Sequence, residues 1–482
     1  MAPGAGAGQV VLVLGGGGFV GESLAVALLA SNLRVILLDR EDFGLAGLED
    51  VRRLKGDATD RRCLEDAVRR HRPAVVVHLA SVGMSGAAML DPSCWTTNVV
   101  GVETLLAVCS ELGVRRVVYA SSYNVVFGGQ EVRGGDEQLP VFPLHRHSDR
   151  YSPSKAAAER KVLEANGVST AEGLPMLTAV LRPAAIYGEG ERRHLPRIVR
   201  LMDRGLFFFT IGSATVDWVH VDNLVQVFVC ACRGLLAAED PEETPCGRAY
   251  FISDGSPINS WDFLRPLAEA VGCPFPTLEL PVGLMLQVGL VCELLHTTLK
   301  TAGLHVEPFL TRAEVLKVGV THFFSIERAR RELGYSPTLN SEEGSRRIAK
   351  YYRRRLSNAD YFRTPSWIFW VLILFGIASL GVIAYDLCPQ EGPLWTYLLE
   401  PQLRLGLLLF RSREGLQMVF IAAVAVHVLE ACIALFVMRD RYTHTWGLWF
   451  VQTLLLGYPS LRLILRRNEF MKKSQEVQAT VG

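Results

Sequence analysis

Residues 9–39 read QVVLVLGGGGFVGESLAVALLASNLRVILLD, and this stretch decides the fold. Gln9 to Leu14 reads as a buried-strand run, and a glycine cluster follows from Gly15 to Gly21. Glu22 to Leu29 has a helical composition, and Arg34 to Leu38 is a second strand ending at Asp39. Strand, glycine turn, helix, strand and acid, in that order, describe a dinucleotide-binding unit. Gly15 permits the tight turn, Gly18 lets the backbone approach a pyrophosphate, and Gly21 lets the helix pack close to the strand. The helix N-terminus beside Phe19 then meets the negative charge.

Asp39 stands where a carboxylate accepts ribose hydroxyls and repels a 2′-phosphate, which favours NAD over NADP. The adjacent Arg40 keeps NADP open. Further strands are expected at Arg53–Gly56, before Asp57, and at Ala74–Leu79, before Ala80 and Ser81. Asp57 either faces an adenine amino group or simply opens a turn, and the residues alone do not choose.

The chemistry lies further along. Arg116–Tyr119 reads as a strand leading into Ala120-Ser121-Ser122, and Tyr151-Ser152-Pro153-Ser154-Lys155 opens a helical run. A Tyr and a Lys four apart project from one helix face, and a first-turn Pro costs no intrahelical bond. A cation beside a phenol favours phenolate, so Tyr151 can act as general base towards an alcohol. Ser122 would hold the substrate oxygen in position. A bare Y-x-x-x-K is common, and the specific signal is the order of glycine turn, strand-end serine and Y-x-x-x-K.

In these residues the chain resembles the extended short-chain dehydrogenase/reductases and within them the 3β-hydroxysteroid dehydrogenase-like group, and the phrases NVVFGGQ, LPRIV, YFISDG and FLTRAEV look closest to its family 42E. The resemblance covers about residues 1–350. It rests on GGGGFVG, HLAS (78–81), NVVG (98–101), VVYASS (117–122), YSPSK, LRPAAIYGEG (181–190), DWVHVDNL (217–224) and RARRELGYSP (328–337). It implies Ser122 as the oxygen-orienting residue and Tyr151 as the proton acceptor. Lys155 is implied to bind the nicotinamide ribose and lower the tyrosine pKa. Asn98 matches an asparagine that supports a proton relay in some relatives or serves structure alone. Two departures, Leu14 and Val102 in place of threonines, remove no reacting group.

The chain has 482 residues, 50 basic and 49 acidic, for a formal charge of +1, and is 49% hydrophobic. That composition excludes a disordered chain and a nucleic-acid binder working by bulk charge. Ten cysteines without C-x-x-C or zinc spacing fit a reduced compartment, and no metal is expected. The N-terminus lacks a basic n-region, so no signal peptide is read there.

The mean hydropathy of +0.22 reflects apolar sequence gathered at the C-terminal end. Spans of about 20 residues, enough to cross a bilayer core, are expected at 367–385, 416–438 and 446–465, with 394–410 as a further pass or re-entrant segment. Arg346, Arg347, Lys350, Arg353, Arg354, Arg355 and Arg363 before the first span hold that side in the cytosol. The basic tail with Arg466, Arg467, Lys472 and Lys473 would lie on the other side after three spans. From Tyr361 on, the chain is similar to a family of small multi-span membrane proteins. His427 and Glu430, three apart within a span, are a functional pair by default, against the plainer reading of a polar contact between spans.

The expected architecture is therefore α/β, a Rossmann-type doubly wound parallel sheet with a smaller C-terminal substrate subdomain, followed by an α-helical transmembrane module. Its parts are 1–189 for NAD and catalysis, 190–345 for substrate, 346–366 as a basic juxtamembrane linker, and 367–482 in the membrane. The apolar stretch Val282–Leu299 is expected to fill a core; as a membrane-facing or lid helix it would admit a lipid. The membrane anchor points to a hydrophobic substrate, a steroid or sterol-like lipid, at the endoplasmic reticulum, and a homodimer is compatible with all of this. Two alternatives stay open: a nucleotide-sugar epimerase or dehydratase on the same triad, with Arg192, Arg193 and His194 as a phosphate site, and a non-catalytic cofactor-binding membrane scaffold.

Overall fold

The computed structural model describes residues 8–41, 51–203, 205–357, 364–365, 367–388, 391–393, 395–438 and 445–465. They fall into two compact units. One takes the chain up to Val199, Phe207–Leu267 and Phe275–Ile348; the other takes Arg200–Leu206, Ala268–Pro274 and the chain from Ala349 onward.

In the first unit, seven strands among the described residues form one sheet: β1 (Val10–Leu14), β2 (Arg34–Asp39), β3 (Arg52–Lys55), β4 (Val75–His78), β5 (Arg116–Ala120), β6 (Leu177–Pro183) and β7 (Arg248–Ile252). Their order is β7-β6-β5-β4-β1-β2-β3, and every neighbouring pair is parallel. Parallel strands need covered faces, which is why β1 and β4 read as continuous Val/Leu runs rather than alternating ones. Helix α1 (Phe19–Ala30) packs on one face with Leu24, Ala25 and Leu28. Helices α2 (Arg61–His71) and α3 (Gly101–Glu111) cover the other with Leu64, Val68, Leu105 and Val108. The chain leaves β1 towards β2 and returns to β4 on the opposite side, so the crevice between the ends of β1 and β4 is the topological switch point where such sheets bind ligands.

Helix α4 (Tyr151–Glu164) carries the Y-x-x-x-K residues. Segments beyond residue 190 rejoin the main sheet, since β7 pairs with β6, and α5 (Val221–Ala237) packs with α1 in the same core.

Helix α6 (Val282–Thr301) corrects the expectation of a core helix. Only Met285, Gly289 and Glu293, one residue per turn along a single stripe, are buried. That stripe faces α7 (Arg312–Gly319). A Cβ at Gly289 would lie 3.0 Å from the Arg312 nitrogen, and the Glu293 carboxylate accepts from the Arg312 backbone N–H at 2.7 Å and from Nε at 2.8 Å. One anchored stripe leaves the rest of the helix outside: Leu284, Val291, Leu294 and Leu295 are each more than half exposed. By length and composition α6 could cross a membrane.

Residues 346–357, placed in a linker by the sequence, continue the helix Ser341–Ser357. Arg347 is bound there by ion pairs to Glu189 and, at 3.0 Å, to Asp222, so it is not a free juxtamembrane cation. Arg363 lies outside the described residues.

The second unit holds α8 (Trp367–Tyr385), α9 (Glu400–Phe410), α10 (Arg413–Met438) and α11 (Trp446–Leu456). Ile368–Tyr385 and α10 are long and apolar enough to cross a bilayer, matching two of the expected spans. The third does not form as one helix. Its first piece ends at Gly457, whose φ of 64° is a backbone conformation few other residues adopt, and residues 458–465 are helical again. Eleven residues rise about 16 Å, roughly half a bilayer core. In the 394–410 segment, Leu394 lies outside the described residues and Arg404 is paired with Glu400 at 2.6 Å. The tail cations Arg466, Arg467, Lys472 and Lys473 also lie outside.

Candidate active site

The glycine turn shows why its residues must be small. Gly15 has φ of 84°, and a Cβ there would sit 2.7 Å from the Ala80 nitrogen, at the end of β4. At Gly21 a Cβ would meet the Gly15 oxygen at 2.5 Å and the Gly16 Cα at 2.7 Å, so the first turn of α1 packs directly against the glycine turn rather than against the strand. Gly16, not singled out in the sequence, is just as constrained, since a Cβ would lie 2.6 Å from that of Leu37. Gly18 differs: its nearest neighbour would be the Gly15 oxygen at 3.3 Å. It is the N-cap of α1, and no side chain caps that helix. An uncapped helix N-terminus behind an open glycine is a donor set that fits a pyrophosphate. Phe19, the first residue of α1, packs towards Gly188, where a Cβ would come within 2.9 Å of its ring. Gly21→Ala should therefore lower stability by about 1–3 kcal/mol through overpacking and weaken NADH binding. A thermal melt and an NADH fluorescence titration check both.

Asp39 ends β2 with one carboxylate oxygen accepting from the Gly17 N–H at 3.0 Å. The acid thus holds the glycine turn. Arg40 points to solvent. Asp57 opens its turn, with Oδ1 accepting from the Thr59 N–H and hydroxyl, each at 2.8 Å, and Oδ2 taking part in neither bond.

Ser122, Tyr151 and Lys155 come together at the end of β5 and the start of α4, all buried. The Ser122 Oγ accepts from the Asn124 N–H at 3.3 Å, which leaves its hydrogen free to donate to a substrate oxygen. Asp149 seats the first turn of α4, accepting from the Ser152 N–H at 2.6 Å and the Ser152 hydroxyl at 2.9 Å. Burial pushes the Tyr151 phenol well above its ordinary pKa. The Ser122 hydroxyl pulls it back, Asp149 adds to the rise, and Arg193 and the Ser81 hydroxyl oppose it. Lys155 Nζ donates to the Ala120 carbonyl at 2.6 Å and to the Tyr119 hydroxyl at 3.2 Å. Its pKa is lowered to about 7 by burial, against the Glu159 charge that raises it.

Asn98 sits in a π-turn, Thr96–Val100. Its side-chain oxygen accepts from the Ser81 hydroxyl at 3.2 Å and the Val82 N–H at 3.0 Å, while Nδ2 donates to the Val82 carbonyl and to Ser154 Oγ. It therefore ties the loop after β4 to α4, a structural task that occupies its polar atoms. His78, the first residue of the HLAS run, stacks on Tyr119 with ring centroids 5.8 Å apart. Burial lowers its pKa to about 3, with the Lys155 charge acting in the same direction, so a neutral ring lies beside the lysine.

Three contributors were not legible in the sequence. Ser81 and Arg193 reach the tyrosine from separate segments. Glu159 lies one turn beyond Lys155 and forms a buried ion pair with Arg182 at 2.5 Å. Its place four residues after the lysine carries no signal of a partner on β6. Arg192 pairs with Glu22 on α1 at 2.8 Å.

Residues 12–282 match the 3-beta hydroxysteroid dehydrogenase/isomerase family, and residues 368–466 match the family described as Transmembrane protein 254. A mouse protein named short-chain dehydrogenase/reductase family 42E member 1 is 45% identical over 337 residues, 68% of this chain and 84% of the relative. A Mycobacterium tuberculosis protein named 3 beta-hydroxysteroid dehydrogenase/Delta 5-->4-isomerase is 34% identical over 349 residues, covering 71% and 90%. Among solved structures, the Thermus thermophilus UDP-glucose 4-epimerase complex with NAD superposes with a TM-score of 0.53 at 23% identity, covering 72% of this chain and 99% of that one. The epimerase Mth375 from Methanothermobacter thermautotrophicus gives 0.57 at 22% identity, covering 73% and 94%. At these identities the structures speak for the fold alone.

Proposed function

Because the chain belongs to the 3-beta hydroxysteroid dehydrogenase/isomerase family, we propose that it is a membrane-anchored dehydrogenase that uses NAD to oxidise the 3β-hydroxyl of a steroid or sterol-like lipid. The observation that carries the lipid assignment is α6: the unit that holds Ser122, Tyr151 and Lys155 also presents a long helix with its leucines outside. An exposed apolar face of this size marks an interaction site, and a bilayer-partitioning substrate would reach the enzyme along such a surface.

In this reading the Ser122 hydroxyl donates to the substrate oxygen and holds it against Tyr151. Tyr151, as phenolate, takes the hydroxyl proton. Lys155 binds the nicotinamide ribose through its ammonium and stabilises the phenolate as a cation. The nicotinamide, when bound, supplies the acceptor for the hydride that leaves the carbinol carbon. Gly15, Gly18, Phe19 and Gly21 would hold the pyrophosphate side of the cofactor. Asp39, set at the end of β2, supports NAD rather than NADP. The arginine-rich end of Ser341–Ser357 supports a cytosolic dehydrogenase unit, and we place the protein in the endoplasmic reticulum.

The test is a panel of hydroxysteroids and sterols with full-length protein, following NADH formation, with NADP in a parallel series. A Tyr151-dependent signal with NAD and a 3β-hydroxy lipid is expected. Silence across the whole panel would sink the reading. Nucleotide-sugar turnover without net NADH would replace it with the epimerase alternative, but Arg192 is engaged by Glu22, which weakens the phosphate site that alternative needs. In the same assay, Leu294→Asp with Leu295→Asp should raise KM for a vesicle-borne sterol several-fold while leaving kcat for a detergent-dispersed one near wild type.

A further inference from the structure

The break at Gly457 poses an accounting problem. A helix interrupted at membrane depth frees backbone groups that lipid cannot satisfy. The two ionisable residues of α10 meet that need. His427 Nδ1 lies 3.1 Å from the Leu454 carbonyl near the end of α11, and the Glu430 carboxylate accepts from the Tyr458 backbone N–H that opens the next helical piece. Just behind them Gln452 Nε2 donates to Ser460 Oγ at 3.0 Å, and Thr453 Oγ1 shares a bond with the same hydroxyl at 2.9 Å.

The pair converges on Gly457. A Cβ built on Gly457 would lie 2.6 Å from Glu430 Oε2 and 2.8 Å from His427 Nε2, so these atoms flank one notch that only glycine leaves open. A carbonyl can only accept, so His427 Nδ1 must carry its hydrogen. In the neutral ring Nε2 is then an acceptor, and a carboxylate oxygen is also an acceptor. Two acceptors border one notch with no direct hydrogen bond or ion pair joining them, so a proton on the imidazole or on the carboxyl, relayed by a water in the notch, would match them. The charged and titratable groups on the elements around the pair do not supply it. Among the described residues, α8 and α11 carry no charged side chain. Glu400 and Arg404 on α9 pair with each other, and Arg413 on α10 pairs with Asp386. Glu414 lies in the first turn of α10, about four turns from Glu430, and Arg462 and Tyr458 beyond the break are exposed.

We propose that His427 and Glu430 bind an exchangeable proton at the Gly457 notch, which makes the C-terminal module a proton-binding element as well as an anchor. The proposal is independent of the dehydrogenase reading and rests on the module lying in a bilayer.

The experiment uses full-length protein in phosphatidylcholine vesicles treated with dicyclohexylcarbodiimide, an apolar reagent that attacks protonated carboxyls, with peptide mass spectrometry to locate the adduct. Glu430 should be modified, at a rate falling about tenfold for each pH unit above the midpoint of the pair. Because the two groups titrate together, His427→Gln should move that midpoint, and Gly457→Ala, which fills the notch, should suppress modification. Infrared difference spectra of the wild type against Glu430→Gln provide a second readout: a protonated-carboxyl stretch that titrates with pH and is missing in the variant. Absence of the adduct at every pH, a pH-independent rate, or a Glu430 carboxyl that stays ionised throughout would overturn the proposal and leave the pair a structural clamp. Extraction of the same vesicles with alkaline carbonate scores the membrane premise separately, and release of the chain would overturn the proposal by that route.

Discussion

Tyr151→Phe should reduce alcohol oxidation by about 10²–10⁴-fold, the range lost when a positioned acid or base is removed, while leaving the fold and NADH binding in place. The change deletes one oxygen from a buried ring. That oxygen's neighbours are the hydroxyls of Ser122 and Ser81, which can turn to each other or to water, so the stability cost should stay within about 1 kcal/mol. A near-normal thermal midpoint with lost turnover would assign the effect to chemistry rather than folding. The pH dependence has two limbs. To accept the substrate proton Tyr151 must first lose its own, which burial resists, while Lys155 must keep its proton against a pKa lowered to about 7, so the oxidation rate should rise towards neutrality and fall above it as the lysine loses its charge. A Tyr151→Phe protein with undiminished turnover would remove the tyrosine from the reaction and revive the scaffold reading.

Why some of this was legible beforehand and some was not follows from where the information sits. The glycine turn, Asp39, Ser122 and the Tyr151/Lys155 pair are local: each is a residue type demanded by a backbone or a spacing within one strand–turn–helix segment. The parallel sheet follows from the continuous apolar runs of β1 and β4. By contrast, whether Val282–Thr301 is inside or outside depends on what meets it. Hydropathy is the same for a core helix and a membrane-facing one, and only the Gly289 and Glu293 stripe against Arg312 decides. The break at Gly457 was invisible for a similar reason, because a glycine in an apolar run is compatible with a continuous span. It becomes legible only when Glu430 and His427 are seen to take up the backbone groups it frees. Ser81 and Arg193 reach Tyr151 from parts of the chain that no spacing rule connects to it.

Arg182→Met should be the most destabilising of the single substitutions considered, and it separates structure from chemistry at the catalytic lysine. Arg182 on β6 donates from Nε to both Glu159 carboxylate oxygens at 3.1 Å and from Nη2 to Oε1 at 2.5 Å, and Ser121 Oγ donates to Oε2 at 2.5 Å. Both partners are nearly solvent-free, and the guanidinium lies over the Phe251 ring, 5.1 Å from its centroid. Removing one member strands a buried charge, at a cost of about 3–5 kcal/mol, whereas replacing both costs little. Arg182→Met should therefore lower the thermal midpoint sharply, and Arg182→Met with Glu159→Gln should recover most of it. Activity should not recover in parallel. Glu159 raises the pKa of Lys155 against burial, so without that charge the lysine loses its proton at lower pH than its value of about 7 and ceases to be a cation there. The double variant should fold like the wild type while its activity declines from a lower pH. If instead it stays as unstable as Arg182→Met, packing on Phe251 rather than charge pairing holds this part of the core. If its pH profile is unchanged, Glu159 has no influence on Lys155 and serves the fold alone.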